Sequence, residues 1–206
     1  MEFLRKLHHK YVFLRRVRVL ADLIAGRLPD DARVLDVGCG DGSVSRRIME
    51  TTRRTAFQGI DVMARPTCAI PFQEFDGRQI PFADRSFDAV QFIDVLHHVP
   101  DDVIVDLLRE AVRVSDRYVV LKDHLWATRL DFLTLKIMDV VGNAPHGVEV
   151  VYNYKTEKYW RALFEELGTE VVSMTTRVPL YPRVVNAVFG RRLHFLAVLQ
   201  IRDRPA

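Results

Sequence analysis

Short apolar runs alternate along the chain with stretches in which apolar residues recur every three or four positions. The runs at 33–37, 55–60, 87–93, 117–121, 170–174 and 193–201 predict buried strands, with a weaker one at 69–74. Helical spacing falls near 2–27, 43–52, 102–114, 128–141 and 156–167. Such alternation predicts an α/β domain with a mainly parallel sheet and right-handed crossovers. The last two strands differ, because a Pro-containing stretch without a clear helix joins them. They are expected to pair antiparallel. No internal repeat, low-complexity segment or linker interrupts the 206 residues. One domain over 1–206 is expected, with a basic helix at 1–27 and an insertion at 124–155.

Charge adds one feature to that picture. The net charge of +3 is small but unevenly spread: residues 1–27 carry +5, residues 28–176 carry −7 and residues 177–206 carry +5. An acidic middle therefore lies between two basic ends. Apolar residues make up 49% and charged residues 28%, which excludes a disordered or collagen-like chain. Cys39 and Cys68 are too few for a disulfide framework, and no Cys/His pair has zinc spacing. No metal is expected. Basic residues interrupt the apolar positions of the N-terminus, so no signal peptide is read there, and no run reaches the roughly 20 apolar residues of a membrane span. A reduced, cytoplasmic setting is the expectation.

The sharpest local signal is Val34-Leu-Asp-Val-Gly-Cys-Gly-Asp-Gly-Ser43. A strand ends in Gly38, Gly40 and Gly42, and a helix follows. Glycines there let a ligand approach the backbone without a Cβ in the way, at the sheet end where nucleotide-like ligands bind. A dinucleotide fingerprint would place its third glycine at position 43, where this chain has Ser. Asp36 also sets a carboxylate at the strand end, which suits an ammonium group and would repel a pyrophosphate. Asp61 closes the second strand, where an acid can accept two ribose hydroxyls. Asp76-Gly77 follows the weak third strand and can read an adenine edge, although Asp-Gly alone is usually a turn. Asp94 ends the fourth strand. Together these acids describe a ligand with an amino acid head, a ribose and an adenine, which is S-adenosylmethionine.

These segments, with Phe75-Asp-Gly-Arg-Gln-Ile-Pro-Phe82 and Ser86-Phe-Asp88, resemble the class I S-adenosylmethionine-dependent methyltransferases of the small, type 11-like kind. The resemblance covers residues 20–122 by motif. It implies a three-layer Rossmann-like fold with seven strands ordered 3-2-1-4-5-7-6 and the last antiparallel. It also implies that Asp36, Gly38, Cys39, Gly40 and Gly42 surround the methionyl part of the cofactor. Asp61 would hold the ribose, Val62 would lie beside the adenine, Asp76 and Gly77 would read its edge, and Asp94 would line the pocket near the sulfonium.

Methyl transfer is an in-line displacement that depends first on positioning, and needs a base only where the nucleophile must lose a proton. His97, His98 and His124 are the candidate bases, because histidine titrates near neutral pH and all three follow strand ends. The plainer alternative is that His97-His98 only precede a helix start at Val99-Pro100-Asp101. The 124–155 insertion carries an apolar stripe (Leu130, Leu133, Ile137, Val140, Val141) and is followed by Trp160 and Phe164. Its aromatics either line a substrate pocket or pack on the sheet. The N-terminal basic helix either docks its apolar stripe or meets an anionic surface. The expected acceptor is a small molecule. A nucleic acid methyltransferase and a non-catalytic S-adenosylmethionine-binding protein are the alternatives, the former disfavoured because no Asn/Asp-Pro-Pro-Tyr/Phe motif follows strand four.

Overall fold

The apolar runs become one seven-stranded sheet in a computed structural model that describes residues 13–52, 55–143, 152–182, 185–186, 189 and 192–202. Its strands are β1 (Arg33–Val37), β2 (Ala56–Asp61), β3 (Phe72–Glu74), β4 (Phe87–Ile93), β5 (Ser115–His124), β6 (Thr169–Thr175) and β7 (His194–Ile201). Their order is β3-β2-β1-β4-β5-β7-β6. Strands β1 to β5 pair in parallel, and β7 runs antiparallel to both β5 and β6. The expected topology and the antiparallel last strand are both present.

Among the described residues five α-helices accompany the sheet: α1 (Leu14–Ala25), α2 (Ser43–Thr52), α3 (Asp101–Val114), α4 (Arg129–Asn143) and α5 (Glu157–Glu166). Both sheet faces are covered, so the central strands are apolar at successive positions rather than alternate ones. Leu35, Val90, Leu121 and Leu199 pack on one face with Leu107 of α3 and Trp160 of α5. Val34, Ala89, Val120 and Val198 pack on the other with Leu20 of α1 and Ile48 of α2.

Three expectations are sharpened by this packing. Trp160 and Phe164 are core residues, stacked at 6.0 Å between ring centroids, so they pack on the sheet. Helix α1 buries Val17, Leu20, Ala21 and Ile24, so this part of the basic helix docks on the fold. The rest of that helix pattern, residues 2–12, lies outside the described residues. In α4 the apolar positions Leu130, Leu133, Ile137 and Val140 are exposed, while Leu135 and Asp139 are buried. The insertion's residues 144–151 are outside the described residues. Where it resumes, Asn153 donates from its backbone to the His97 carbonyl at 3.1 Å and from Nδ2 to the Val99 carbonyl at 2.7 Å. The turn after β4 is thereby tied down from above. Among the described residues no helix is long and apolar enough to cross a membrane.

The burial of α1 has a measurable consequence. Leu20 is fully buried between α1 and the sheet, so Leu20→Ala is expected to lower the unfolding free energy by roughly 2–5 kcal/mol in urea denaturation. A loss under about 0.5 kcal/mol, usual for surface changes, would show that α1 is not part of the core.

Candidate active site

A cleft of about 460 Å³ opens at the carboxyl ends of β1, β2 and β4. Gly38, Gly40, Asp61, Val62, Asp76, Gly77, Asp94 and His98 all line it. The glycine loop is anchored beneath by backbone bonds from Gly38 and Cys39 to the Ile60 carbonyl, at 2.8 and 3.2 Å. Gly40 has a φ of +56° and nothing within 4 Å of where a Cβ would stand. Its open side leaves room for close approach to the backbone. The Gly40 amide donates to Asp61 Oδ2 at 2.9 Å, and the Met63 amide donates to Asp61 Oδ1 at 3.1 Å. The carboxylate is thus fixed at the lip of the cleft. Asp76 Oδ1 accepts from the Arg78 and Gln79 amides at 2.8 and 2.9 Å, which holds its pKa below the usual carboxylate range.

Three predicted residues stand elsewhere. Gly42 does not face the cleft: a Cβ there would meet Ile70 at 2.9 Å and Cys68 at 3.1 Å, so the residue is small to let the loop pack on 68–70. Cys39 lies under the loop against Gly59, and burial, with Asp36 and Cys68 nearby, pushes its thiol pKa up. Asp36 and Cys39 line a smaller cavity of about 140 Å³ that shares Gly38 and Gly40 with the main cleft. The Asp36 carboxylate is buried and accepts from Ser45 Oγ at 2.6 Å. Burial raises its pKa to about 6, and the Ser45 and Gln91 side chains only partly offset this.

Beside the cleft lies a polar cluster. Asp94, at φ +57°, pairs with Arg16 of α1 and Lys122 of β5. Burial alone would protonate it, but Lys122 and Arg16 hold its carboxyl well below the usual range. His97 Nδ1 meets Asp123 Oδ1 at 2.7 Å, and its Nε2 faces Asp139 Oδ1 at 3.6 Å. Burial opposes a charge on this ring, yet Asp123 and Asp139 prevail and raise its pKa to about 10. His124 Nδ1 lies 3.2 Å from His97 Nδ1, with its pKa lowered by burial and by His97. His98 is the exception. It faces the cleft, burial and the charge on His97 lower its pKa to about 4, and its Nδ1 is buried with no hydrogen-bond partner.

Arg16, Lys122, Asp123 and Asp139 were not singled out from the sequence. The one local signal was Lys122-Asp123, two charges set in an otherwise apolar strand run.

The fold is that of an α/β protein with an open cleft at the carboxyl edge of a parallel sheet, the edge where nucleotide-like ligands bind in sheets of this kind. A family model described as a methyltransferase domain matches residues 7–174. The chain belongs to that family, and its strand order is that of a class I methyltransferase. Over 110 residues it is 34% identical to the 27-O-demethylrifamycin SV methyltransferase of Amycolatopsis mediterranei, covering 46% of this chain and 39% of that relative. Over 77 residues it is 30% identical to the fatty-acid O-methyltransferase of Mycolicibacterium smegmatis, covering 33% and 28%. The matched region is thus well under half the length of these curated relatives. Among solved structures, a Pyrococcus horikoshii OT3 protein superposes with a TM-score of 0.69 at 17% identity, over 98% of this chain and 99% of that one. The magnesium protoporphyrin IX methyltransferase of Synechocystis PCC 6803, solved with bound S-adenosylhomocysteine, gives 0.57 at 20% identity, over 89% and 80%. At these identities the likeness concerns the fold.

The raised Asp36 pKa predicts an unusual pH dependence for the protein without ligand. Between about pH 4 and pH 6 the folded protein keeps a proton on Asp36 that the unfolded chain has released. Asp36 therefore costs stability as pH rises through that window, on the order of 2–3 kcal/mol above it. Asp36→Asn is expected to raise the melting temperature at pH 7 and to remove this component of the pH profile. Parallel wild-type and variant profiles would disprove the assignment.

Proposed function

We propose that this protein transfers a methyl group from S-adenosylmethionine to a small-molecule acceptor by in-line displacement. The observation that carries the reading is the convergence of Gly40, Asp61, Asp76 and Asp94 on one cleft beside a neutral histidine. The residues present fit the cofactor: an open backbone cradle at Gly40, a fixed acceptor at Asp61 and an exposed acceptor at Asp76. When bound, S-adenosylmethionine supplies a methyl group activated by its sulfonium. Asp61 would accept the ribose hydroxyls. Asp76 and Gly77 would read the adenine beside Val62, and the Gly38–Gly40 backbone would hold the methionyl part with Asp36 nearby. Asp94 already has its cations in Arg16 and Lys122, so its role is to shape the cleft wall rather than to attract a further positive charge.

The three histidines divide by environment. His97 is already charged between two carboxylates and is a poor proton acceptor. His124 is enclosed by His97, Asp123 and Asp94. His98 remains: its neutral ring at the cleft can accept the proton of an acceptor hydroxyl as the nucleophile is positioned. The cleft wall beside it is apolar, formed by Val95, Val99, Val103 and Leu107, which supports an apolar acceptor. The curated relatives are named for a rifamycin and for fatty acids, the second as an O-methyltransferase, and this supports transfer to oxygen.

Cofactor binding is tested by thermal shift. S-adenosylhomocysteine at 100 times its dissociation constant is expected to stabilise the protein by about 2.7 kcal/mol. Asp61→Ala should lose most of that stabilisation, and stabilisation by NAD alone would overturn the assignment. Turnover is tested by a labelled-methyl screen of apolar hydroxyl and carboxyl compounds against RNA and DNA. His98→Ala should lower kcat at least tenfold while retaining stabilisation by S-adenosylhomocysteine. An unchanged kcat would remove His98 as the base.

A further inference from the structure

We infer that His97, Asp123 and His124 form a binding site for a first-row divalent cation of the Zn²⁺, Co²⁺ or Fe²⁺ kind, at the sheet edge beside the cleft. The three donor atoms have the mutual spacing of ligands on one ion. His97 Nδ1 to Asp123 Oδ1 is 2.7 Å, His97 Nδ1 to His124 Nδ1 is 3.2 Å, and His124 Nδ1 to Asp123 Oδ1 is 3.4 Å. Bonds of about 2.0–2.2 Å to such an ion hold neighbouring ligands roughly 3 Å apart. Two imidazole nitrogens brought this close otherwise compete for a single proton.

The surroundings of the three ligands fit the same reading. The far nitrogen of His97 faces Asp139, and the Tyr154 hydroxyl donates to the other Asp139 oxygen at 2.8 Å. A carboxylate behind a ligating histidine is the usual outer support of a metal site. Asp123 Oδ2 is held by the Leu96 amide at 2.9 Å, which aims Oδ1 at the two rings. Asp94 Oδ1, 3.9 Å from His124 Nδ1, is committed to Lys122, as Oδ2 is to Arg16, and is not counted as a ligand.

Two imidazoles with one carboxylate favour a borderline transition-metal ion over Mg²⁺ or Ca²⁺, which prefer oxygen ligands. Zinc spacing is absent from the sequence because the ligands come from two separate segments: His97 in the turn after β4, and Asp123 and His124 at the end of β5.

The test needs no methyl acceptor and no cofactor, so it can fail while the transfer reading stands. Untagged protein, freed of metal by dialysis against a chelator, is titrated with Co²⁺ and followed by its visible absorption. One equivalent is expected to bind with ligand-field bands, and one equivalent of Zn²⁺ should remove them. His124→Ala, its fold checked by circular dichroism, should abolish the bands. Tyr154→Phe should weaken affinity roughly tenfold through Asp139. Wild-type protein that develops no bands, or bands that persist in both His124→Ala and His97→Ala, would overturn the site. Stabilisation by Mg²⁺ and not by Zn²⁺ would overturn its assigned chemistry.

Discussion

Asp94 is the residue on which the active edge of this molecule turns. Its carboxylate pairs with Arg16 from the N-terminal helix and Lys122 from the neighbouring strand, and its backbone amide donates to the Lys122 carbonyl at 2.8 Å. Lys122 in turn lies 3.3 Å from His194 Nδ1 on β7. One carboxylate therefore ties together α1, β4, β5 and β7 where the crevice opens. Such a group cannot be left alone: removing one partner of a buried pair typically costs about 3–5 kcal/mol, because the other charge stays buried. The intact pair contributes little net stability. What it determines is position, since the chain must bring a helix and two strands to one point.

The same logic separates His97 from His98. They are adjacent in sequence, share one short 3₁₀ turn (Leu96–His98), and have ring centroids only 4.0 Å apart. Yet one ring is pushed up to about 10 and the other down to about 4. Burial acts downward on both. Two carboxylates face His97 and override it, whereas His98 has the charge on His97 as its nearest strong influence. The turn points one side chain into the cluster and the other into the cleft. A charged anchor and a neutral acceptor thus come from the same dipeptide.

Much of the fold and part of the site were legible because they are encoded locally. Strands covered on both faces leave continuous apolar runs, and the run at 33–37 followed by spaced glycines marks the loop wherever it occurs. Asp61 and Asp76 could be read because each ends a recognisable strand. The polar cluster could not be read, since Arg16, Asp94, His97, Lys122, Asp123 and Asp139 meet only after the sheet is assembled. At Gly42 the φ of +71° calls for glycine, and the absent side chain also lets the loop pack on Cys68 and Ile70. In α4 the residues of the apolar stripe are exposed, and the buried side carries Leu135 and Asp139, the latter held by its ion pair with His97 and its hydrogen bond from Tyr154.

The acidic middle of the chain therefore does not act as a single field. Asp76 is exposed and already satisfied by two amides, so ionisation costs it little. Asp94 is buried but paired with two cations, so it is ionised and electrostatically spent. Asp36 is buried beside the neutral Ser45 and Gln91 side chains rather than a cation, and its charge is the least supported of the three. A group with an unmet charge next to an open glycine loop gains most from a cationic ligand, since the ligand would supply what Lys122 and Arg16 supply to Asp94. The sequence pattern treats these acids as equivalent strand ends. Their burial and partners leave one exposed and held by amides, one a structural pivot and one buried without a cation, which is why charge counting along the chain could not tell them apart.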